Sequence, residues 1–243
     1  MPVVRVNVKA DTLDDENRKF PQRPLDRPLF LNSVPKSGSH LLRNVIRMFV
    51  PVESQYQADF IQHHFLQQHL AAFDPATKRL SWGHLFFFDA ARDALAGARH
   101  IVLVRDPYDW VLAQARFVLS NEFWGGLDHL KRPDVSVDSI LQLMIEGIRP
   151  QLAPLAITYH YNAVAWLDHG VHLVRYEELV GALSECRLHF RDDVLGRDAE
   201  VLVERRVGRA GAERAHADEA AVLAEVAIPP LPDARLDRDA GLD

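Results

Sequence analysis

A short loop rich in hydrogen-bond donors, Val34-Pro-Lys-Ser-Gly-Ser-His40, is the segment of this sequence best suited to chemistry. It follows an apolar run, PLFLNS, and precedes LLRNVIRMF, whose apolar residues recur with a helical period. A loop between a strand and a helix presents backbone N–H groups to an anion, and the helix dipole directs its positive end the same way. Lys36 adds a charge, while Gly38 lets a ligand approach the backbone closely. The segment predicts a phosphate-binding loop.

The loop departs from the nucleotide-binding pattern GxxxxGK[ST], because its lysine precedes the glycine and no Gly-Lys pair follows. Lysine is scarce in this chain, with 5 lysines against 23 arginines, and this scarcity gives Lys36 added weight. The plain alternative is a Pro/Ser/Gly turn that joins a strand to a helix and binds nothing.

Four segments resemble, in the same order, motifs of the sulfotransferases that use 3′-phosphoadenosine 5′-phosphosulfate (PAPS). The loop is similar to the family's PKSGTTW, and IVLVRDPYDW, from Ile101 to Trp110, resembles a strand ending in Arg followed by [DN]-P-x-D. Tyr176-Glu-Glu-Leu179 is similar to Tyr-Glu-Asp-Leu, and Arg206-Val-Gly-Arg-Ala-Gly211 resembles R-K-G-x-x-G. The resemblance covers residues 30–211, about three-quarters of the chain.

The resemblance implies which residues hold the co-substrate. The loop would bind the 5′-phosphosulfate, Arg105 the 3′-phosphate, and Tyr176 would approach the adenine. Lys36 would also stabilise charge on the bridging oxygen. The implied binding residues are Lys36, Ser37, Gly38, Ser39, His40, Leu41, Arg105, Tyr176, Arg206 and Gly208. The family requires no metal ion, and none is predicted.

His84, in Ser81-Trp-Gly-His-Leu85, fits the family's Gly/Thr-His-Leu segment at a strand end, where the histidine deprotonates the acceptor. Its ordinary pKa near 6.5 suits a general base at neutral pH. The alternative is that His84 is one of 12 histidines, hydrogen-bonded at a strand end for structural reasons. The resemblance favours the first interpretation, so His84 and Lys36 are the predicted catalytic residues.

Four positions depart from the family pattern, and one of them is Ala212, where the family usually has a Trp after the second Gly of R-K-G-x-x-G. The serine that usually lies eight residues beyond the 3′-phosphate arginine is Ala113 here, with Gln114 or Ser120 as possible replacements. Val207 replaces the lysine of R-K-G, and Leu41 replaces an aromatic at the end of the phosphate loop. These differences leave adenine stacking and the C-terminal R-K-G-x-x-G segment as the weakest parts of the resemblance.

Strand and helix patterns alternate along the chain. The predicted strands are 28–34, 79–84, 99–105 and 171–175, and the predicted helices are 38–49, 57–73, 107–121, 136–148, 158–169 and 176–190. The alternation predicts an α/β fold with a mainly parallel central sheet flanked by helices, and the resemblance implies its P-loop NTPase-like sulfotransferase form. The predicted organisation is a lead-in segment over 1–27, one α/β domain over 28–228, and a disordered acidic tail over 229–243.

Composition limits the compartment and the partners. The 243 residues are 48% hydrophobic and 26% charged, which is typical of a globular protein. A single cysteine, Cys186, predicts no intrachain disulfide, and no apolar run approaches the roughly 20 residues of a membrane span. A cytoplasmic location follows as the expectation. The net charge is −6, of which −5 lies from residue 191 on, so the nearly neutral body argues against nucleic acid while allowing a pocket for one anionic ligand.

The predicted function is sulfuryl transfer from PAPS to a hydroxyl, or less readily an amine, of a small molecule, with adenosine 3′,5′-bisphosphate (PAP) as product. Phe86-Phe87-Phe88 directly after His84 favours a lipophilic or aromatic acceptor over a sugar. Two alternatives stay open. One is a P-loop kinase or NTPase in which Asp106 holds Mg²⁺, and the other is a non-catalytic nucleotide-binding protein on the same fold.

Overall fold

Five parallel strands form the central sheet of this computed structural model, which describes residues 5–6, 13–57 and 60–184. The described residues contain seven strands in all, which in chain order are β1 (Arg5–Val6), β2 (Leu29–Ser33), β3 (Ile61–Gln62), β4 (Leu80–His84), β5 (Arg99–Val104), β6 (Phe123–Trp124) and β7 (His172–Arg175). The order across the sheet is β3-β4-β2-β5-β7, and each neighbouring pair is parallel. β1 and β6 form a separate antiparallel pair.

Helices connect the strands. The α-helices are α1 (Leu13–Asn17), α2 (Ser39–Arg47), α3 (Asp89–Leu95), α4 (Pro107–Leu119), α5 (Val137–Glu146), α6 (Leu155–Asn162) and α7 (Tyr176–Ser184). Four 3₁₀ helices lie at Val52–Ser54, His63–Phe73, Asp128–Lys131 and Val164–His169. α4 begins at Pro107, and the Asp106 carboxylate caps it by accepting hydrogen bonds from the backbone N–H groups of Tyr108 and Asp109.

Both faces of the sheet are buried. Successive residues of a strand point to opposite faces, so Phe30 and Val102 pack with Trp110 and Trp166 on one side. Leu29, Leu31, Ile101 and Leu103 pack on the other side, against α2 and α7. This double coverage explains why β2 and β5 read as continuous apolar runs. The predicted α/β fold with a mainly parallel sheet flanked by helices is confirmed.

The prediction of an α-helix over 57–73 is wrong. Ile61 and Gln62 instead form the edge strand β3, which pairs with Gly83 and His84 of β4, and the 3₁₀ helix His63–Phe73 follows. Ile61 comes so close that a Cβ on Gly83 would lie 2.2 Å from the Ile61 carbonyl oxygen. A buried strand residue followed by tight turns produces the same apolar spacing as an amphipathic helix, so periodicity alone does not separate the two.

Other differences are smaller. The helix predicted over 158–169 is divided at Ala163, where the backbone leaves helical geometry between α6 and a 3₁₀ helix. The lead-in segment contains α1, whose Asp14 forms an ion pair with the buried Arg47 of α2. Helix α3 was not predicted. Cys186, Arg206, Gly208, the departure at Val207, and the 229–243 tail lie outside the described residues.

Candidate active site at the carboxyl edge of the sheet

Four strand ends bring the predicted residues of the described chain to one edge of the sheet. The phosphate loop follows β2, His84 ends β4, Arg105 follows β5, and Tyr176 follows β7. In open parallel sheets this carboxyl edge, where connections diverge to the two sides, is the usual place for a ligand. β2 lies in the middle of the order, so the loop has His84 on one side and Arg105 on the other.

The phosphate loop is held in a conformation that requires glycine at position 38. Gly38 has a φ of 90° and forms the N-cap of α2, and Lys36 also has a positive φ, 66°. A Cβ on Gly38 would lie 2.5 Å from Cδ2 of Tyr176, because the Tyr176 ring packs against the loop. The left-handed turn aims the N-terminus of a nine-residue helix at the space above the sheet edge.

Arg105 lies beside Tyr176 on the β5–β7 side of the loop. Its guanidinium carbon is 4.3 Å from the centroid of the Tyr176 ring, a cation–π contact. Its backbone carbonyl accepts a 2.7 Å hydrogen bond from the Tyr159 hydroxyl. Within the described part of the chain, the buried Nε of Arg105 has no hydrogen-bond partner. A buried cationic donor without an acceptor is the feature expected of an anion-binding group.

A cavity of about 260 Å³ borders Arg105. Its walls come from the ends of β5 and β7, the start of α4, α6 and the following 3₁₀ helix, and they are mainly apolar, with Val104, Ala163, Val164, Leu167 and Leu173 among them. Its polar lining residues are Arg105, Asp106, Tyr159 and Arg175. Burial and the nearby Asp106 carboxylate raise the pKa of Tyr159, so its hydroxyl stays protonated and donates.

Lys36 lies between the two sides of the site. Its Nζ is 3.7 Å from the centroid of the Phe117 ring. Burial lowers the pKa of Lys36, the charge of Arg105 lowers it further, and the carboxylate of Glu122 opposes both. Lys36 also contributes to the lowered pKa of His84. Because these influences fall off with distance, they place Lys36 within electrostatic range of both Arg105 and His84.

The His84 ring is fixed by hydrogen bonds on one edge and stacking on one face. Nδ1 lies 3.0 Å from the carbonyl oxygen of Ser33 and 3.1 Å from its hydroxyl oxygen. The ring stacks on Phe60 at a centroid distance of 4.8 Å and an interplanar angle of 15°. Burial lowers the pKa of His84 to about 4, opposed by the hydrogen bond to Ser33 and reinforced by His40 and Lys36. The ring is therefore neutral at pH 7.

The remaining loop residues have distinct positions. Ser39 Oγ lies 2.6 Å from Ser33 Oγ, and Ser37 is fully buried. His40 is exposed and its ring lies 5.0 Å from that of Phe60, while Leu41 is half-buried against the cluster that covers α2. Ser39 and His40 therefore extend toward the His84 side of the site.

Sequence reasoning missed Asn32, which joins the ends of β2 and β4. Its buried side chain donates to the Leu85 carbonyl at 3.0 Å and accepts from the Leu85 N–H at 2.9 Å. The same oxygen accepts a hydrogen bond from the Ser33 N–H. The available signal was a lone amide in the otherwise apolar run PLFL, since a buried polar group must be satisfied.

The positions flagged as departures are also placed. Gln114 is 7% exposed, and the Ser120 hydroxyl donates to the Phe117 carbonyl and accepts from the Glu122 N–H. Ser120 ends α4, about 20 Å along the helix from Pro107. The Ser120 hydroxyl is thus already hydrogen-bonded at the helix end, and a replacement for the phosphate serine at Ala113 stays a prediction for Gln114 and Ser120.

The described residues contain neither a cluster of metal ligands nor a membrane-spanning helix. Within residues 13–57 and 60–184, no group of three or more His, Cys, Asp or Glu side chains is arranged to hold a metal ion. In that same part of the chain, each helix is too short or too polar to cross a bilayer.

Comparison with known proteins gave matches among solved structures. No family model and no curated protein matches the chain. A crystal structure of the mouse sulfotransferase SULT7A1 complexed with PAP is similar at 18% identity, covering 85% of this chain and 69% of that chain, with a TM-score of 0.47. A crystal structure of retinol dehydratase in a complex with retinol and PAP is similar at 11% identity, covering 94% and 98%, with a TM-score of 0.38.

Proposed function

We propose that this protein transfers the sulfuryl group of PAPS to a hydroxyl, or less readily an amine, of a small molecule. The observation that carries the proposal is the arrangement at one sheet edge. A strand–loop–helix anion cradle has a neutral, hydrogen-bonded histidine on one side and, on the other, an arginine whose buried Nε has no partner among the described residues. A nucleotide with phosphate groups at both 3′ and 5′ positions would place one phosphate group at the cradle and the other at Arg105.

The residues would divide the work of binding as follows. The N–H groups of the loop and of the first turn of α2, with Ser37 and Ser39, would hold the 5′-phosphosulfate. Arg105 would hold the 3′-phosphate, and the Tyr176 ring, fixed between Gly38 and Arg105, would contact the adenine. Arg206 and Gly208, outside the described residues, remain predicted partners of the same nucleotide.

The transfer step uses PAPS as the donor of an SO₃ group. His84 removes the proton of the acceptor hydroxyl through Nε2 as the acceptor oxygen forms its bond to sulfur. The bond between sulfur and the bridging oxygen breaks, and its electron pair stays on the 5′-phosphate. Lys36 and the N-terminus of α2 stabilise that developing charge, so positioning and electrostatics supply most of the acceleration. No step calls for a metal ion.

Aromatic rings near His84 favour an apolar acceptor. Phe60 stacks on the His84 ring, and Phe86 stacks between His63 and Tyr161, at centroid distances of 4.7 and 5.9 Å. Flat apolar walls of this kind bind lipophilic or aromatic molecules better than sugars. Phe87 has a different role, since it packs on the buried Trp166.

The kinase or NTPase alternative is disfavoured, because Oδ1 of Asp106, its proposed Mg²⁺ ligand, already caps α4. The Asp106 carboxylate that would hold Mg²⁺ accepts the N–H groups of the first turn of α4. The non-catalytic alternative keeps the nucleotide site and omits the transfer.

Thermal unfolding with ligands separates these functions. PAP without metal should stabilise the protein by about 2.7 kcal/mol at 100 times its dissociation constant, while ATP with Mg²⁺ should give a much smaller effect. Transfer of labelled sulfate from PAPS to a panel of phenols and apolar alcohols tests catalysis. Absence of stabilisation by PAP would reject the proposal, and PAP binding without transfer to any acceptor would support the non-catalytic alternative.

A further inference from the structure

We propose that Ser33 is a positioning residue, which sets the tautomer of His84 and connects it through Ser39 to the phosphate loop. The inference rests on the proposed function, and it concerns a residue of β2 that lies outside the loop motif. Ser33 contacts His84 with both its carbonyl oxygen and its hydroxyl, at 3.0 and 3.1 Å. The same hydroxyl lies 2.6 Å from Ser39 Oγ.

The contact with the carbonyl determines which ring nitrogen carries the proton. A carbonyl oxygen only accepts hydrogen bonds, so Nδ1 of His84 must be the donor. In the neutral ring the other nitrogen, Nε2, then holds the lone pair. The opposite tautomer would set the Nδ1 lone pair against the carbonyl oxygen. The ring thus offers Nε2 as the base.

The direction of the next hydrogen bond follows from the first. With Nδ1–H directed at Ser33, the Ser33 hydroxyl is free to donate its own hydrogen to Ser39 Oγ. Its other acceptor in the described chain, the Gly83 carbonyl, is farther away at 3.4 Å. Ser39 is the first residue of α2, and its hydrogen is then available to an oxyanion held at the helix N-terminus. One polarised chain joins the base to the donor site.

The Ser33 hydroxyl is not needed to hold the strands together. Backbone hydrogen bonds pair β2 with β4 and β5, and the Asn32 side chain joins β2 to Leu85. When His84 accepts a proton, the two Ser33 oxygens accept from the Nδ1–H of an imidazolium inside a buried site. This stabilises the charge formed in the transfer step.

The chain offers a matched control in Ser81. It lies on the neighbouring strand β4, is 1% exposed, and its hydroxyl has no hydrogen-bond partner among the described residues, whereas Ser33 is 2% exposed. Ser33→Ala and Ser81→Ala therefore remove the same atom from similar depth. Ser33→Thr keeps the hydroxyl and serves as the conservative variant.

The first measurement is ¹⁵N NMR of histidine-labelled protein without ligand. Wild type should show His84 protonated at Nδ1 and unprotonated at Nε2 at pH 7. Finding the proton on Nε2 would overturn the proposal, and this outcome does not depend on PAPS or on any variant folding.

The second measurement is kinetic. Ser33→Ala should lower kcat about tenfold, because it weakens one hydrogen bond to a charged group, and should shift the pH profile of kcat. The dissociation constant for PAP should stay within about twofold of the wild-type value, because the Ser33 hydroxyl would not itself bind PAP. Ser33→Thr should restore the rate, and Ser81→Ala should match wild type.

An unchanged pH profile in Ser33→Ala, or an equal loss of kcat in Ser81→Ala, would contradict the proposal. Failure of every variant and wild type to bind PAP would reject the proposed function and leave the tautomer result standing.

Discussion

The two sides of the candidate site are built differently. On the β4 side, His84 is held by Ser33 on one edge and Phe60 on one face. On the β5 side, Arg105 leaves its buried Nε without a partner in the described chain, although its guanidinium packs on Tyr176. Under the proposed function, the first arrangement suits a preorganised base, and the second suits a binding group whose acceptor is a ligand. Satisfied and unsatisfied donors would then mark different roles within one site.

The largest expected effect comes from the β4 side. His84→Gln should lower kcat by about 10²–10⁴-fold, the usual contribution of a general base, while the affinity for PAP changes little. Steady-state kinetics with labelled PAPS and calorimetry with PAP measure the two quantities. His129→Gln, at an exposed histidine, should behave as wild type. Near-wild-type turnover in His84→Gln would remove His84 from the mechanism.

The next effect should appear on the β5 side, with the opposite division. Arg105→Ala should raise the dissociation constant for PAP by about ten- to a hundredfold, since it removes hydrogen bonds to a charged group. With PAPS at saturation, kcat should fall less than it does in His84→Gln. Arg92→Ala is the control, because Arg92 is already paired with Asp89 and Asp93 on α3. Unchanged PAP affinity in Arg105→Ala would show that Arg105 does not bind the nucleotide.

Gly38 joins the two sides, so its substitution should affect stability. Gly38→Ala should lower the free energy of unfolding by about 1–3 kcal/mol, because alanine is strained at a φ of 90° and its Cβ meets the Tyr176 ring. Gly126→Ala is the matched control, with a φ of 73° and nothing within 4 Å of its Cβ. Urea unfolding measures both. Equal losses in the two variants would mean that the Tyr176 contact contributes nothing.

The smallest expected effect is the pH dependence of stability, which involves the buried His100 and the half-buried His84. Burial lowers the pKa of His100 to about 3 and that of His84 to about 4. Their unfolded-state pKa is near 6.5, so the unfolded chain binds more protons below that pH. Stability should be full above pH 6.5 and decrease as the pH falls toward 4.

His100→Phe tests this dependence, because it keeps a ring between Phe30 and Trp166 and removes a titrating group. Urea unfolding between pH 5 and 7.5 should show a slope shallower by up to about 1.4 kcal/mol per pH unit, the value for one proton. An unchanged slope would show that His100 does not take up a proton on unfolding.

Periodicity predicted the sheet well where both faces are buried. β2, β4, β5 and β7 all lie within predicted strands, and α4 begins at the predicted Pro107. Periodicity failed at 57–73, where the apolar residues belong to an edge strand and a 3₁₀ helix and do not form one face of an α-helix. The missing information was which residue packs against this segment. Gly83 on β4 leaves room for the Ile61 backbone, and the sequence of residues 57–73 does not indicate that contact.

The candidate site was predictable as a set of residues, and its connections were not. Lys36, Gly38, His84, Arg105 and Tyr176 were identified from motifs. The roles of Ser33 and Asn32 depend on contacts across 51 and 53 residues of chain. Neither residue stands out by spacing, because hydrogen bonds between parallel strands join segments far apart in sequence.

The sequence by itself determined the chemical inventory and the local geometry of this protein. A Lys-Ser-Gly-Ser loop between an apolar strand and an amphipathic helix carries its hydrogen-bond donors and its turn within one short segment, so the sequence alone could point to a phosphate-binding loop. Only the tertiary structure decided which edge of His84 is occupied, that Asp106 caps a helix, and that the Arg105 Nε is buried without a partner in the described chain. Those features depend on burial and on partners from other strands, and burial is a property of the whole packed sheet.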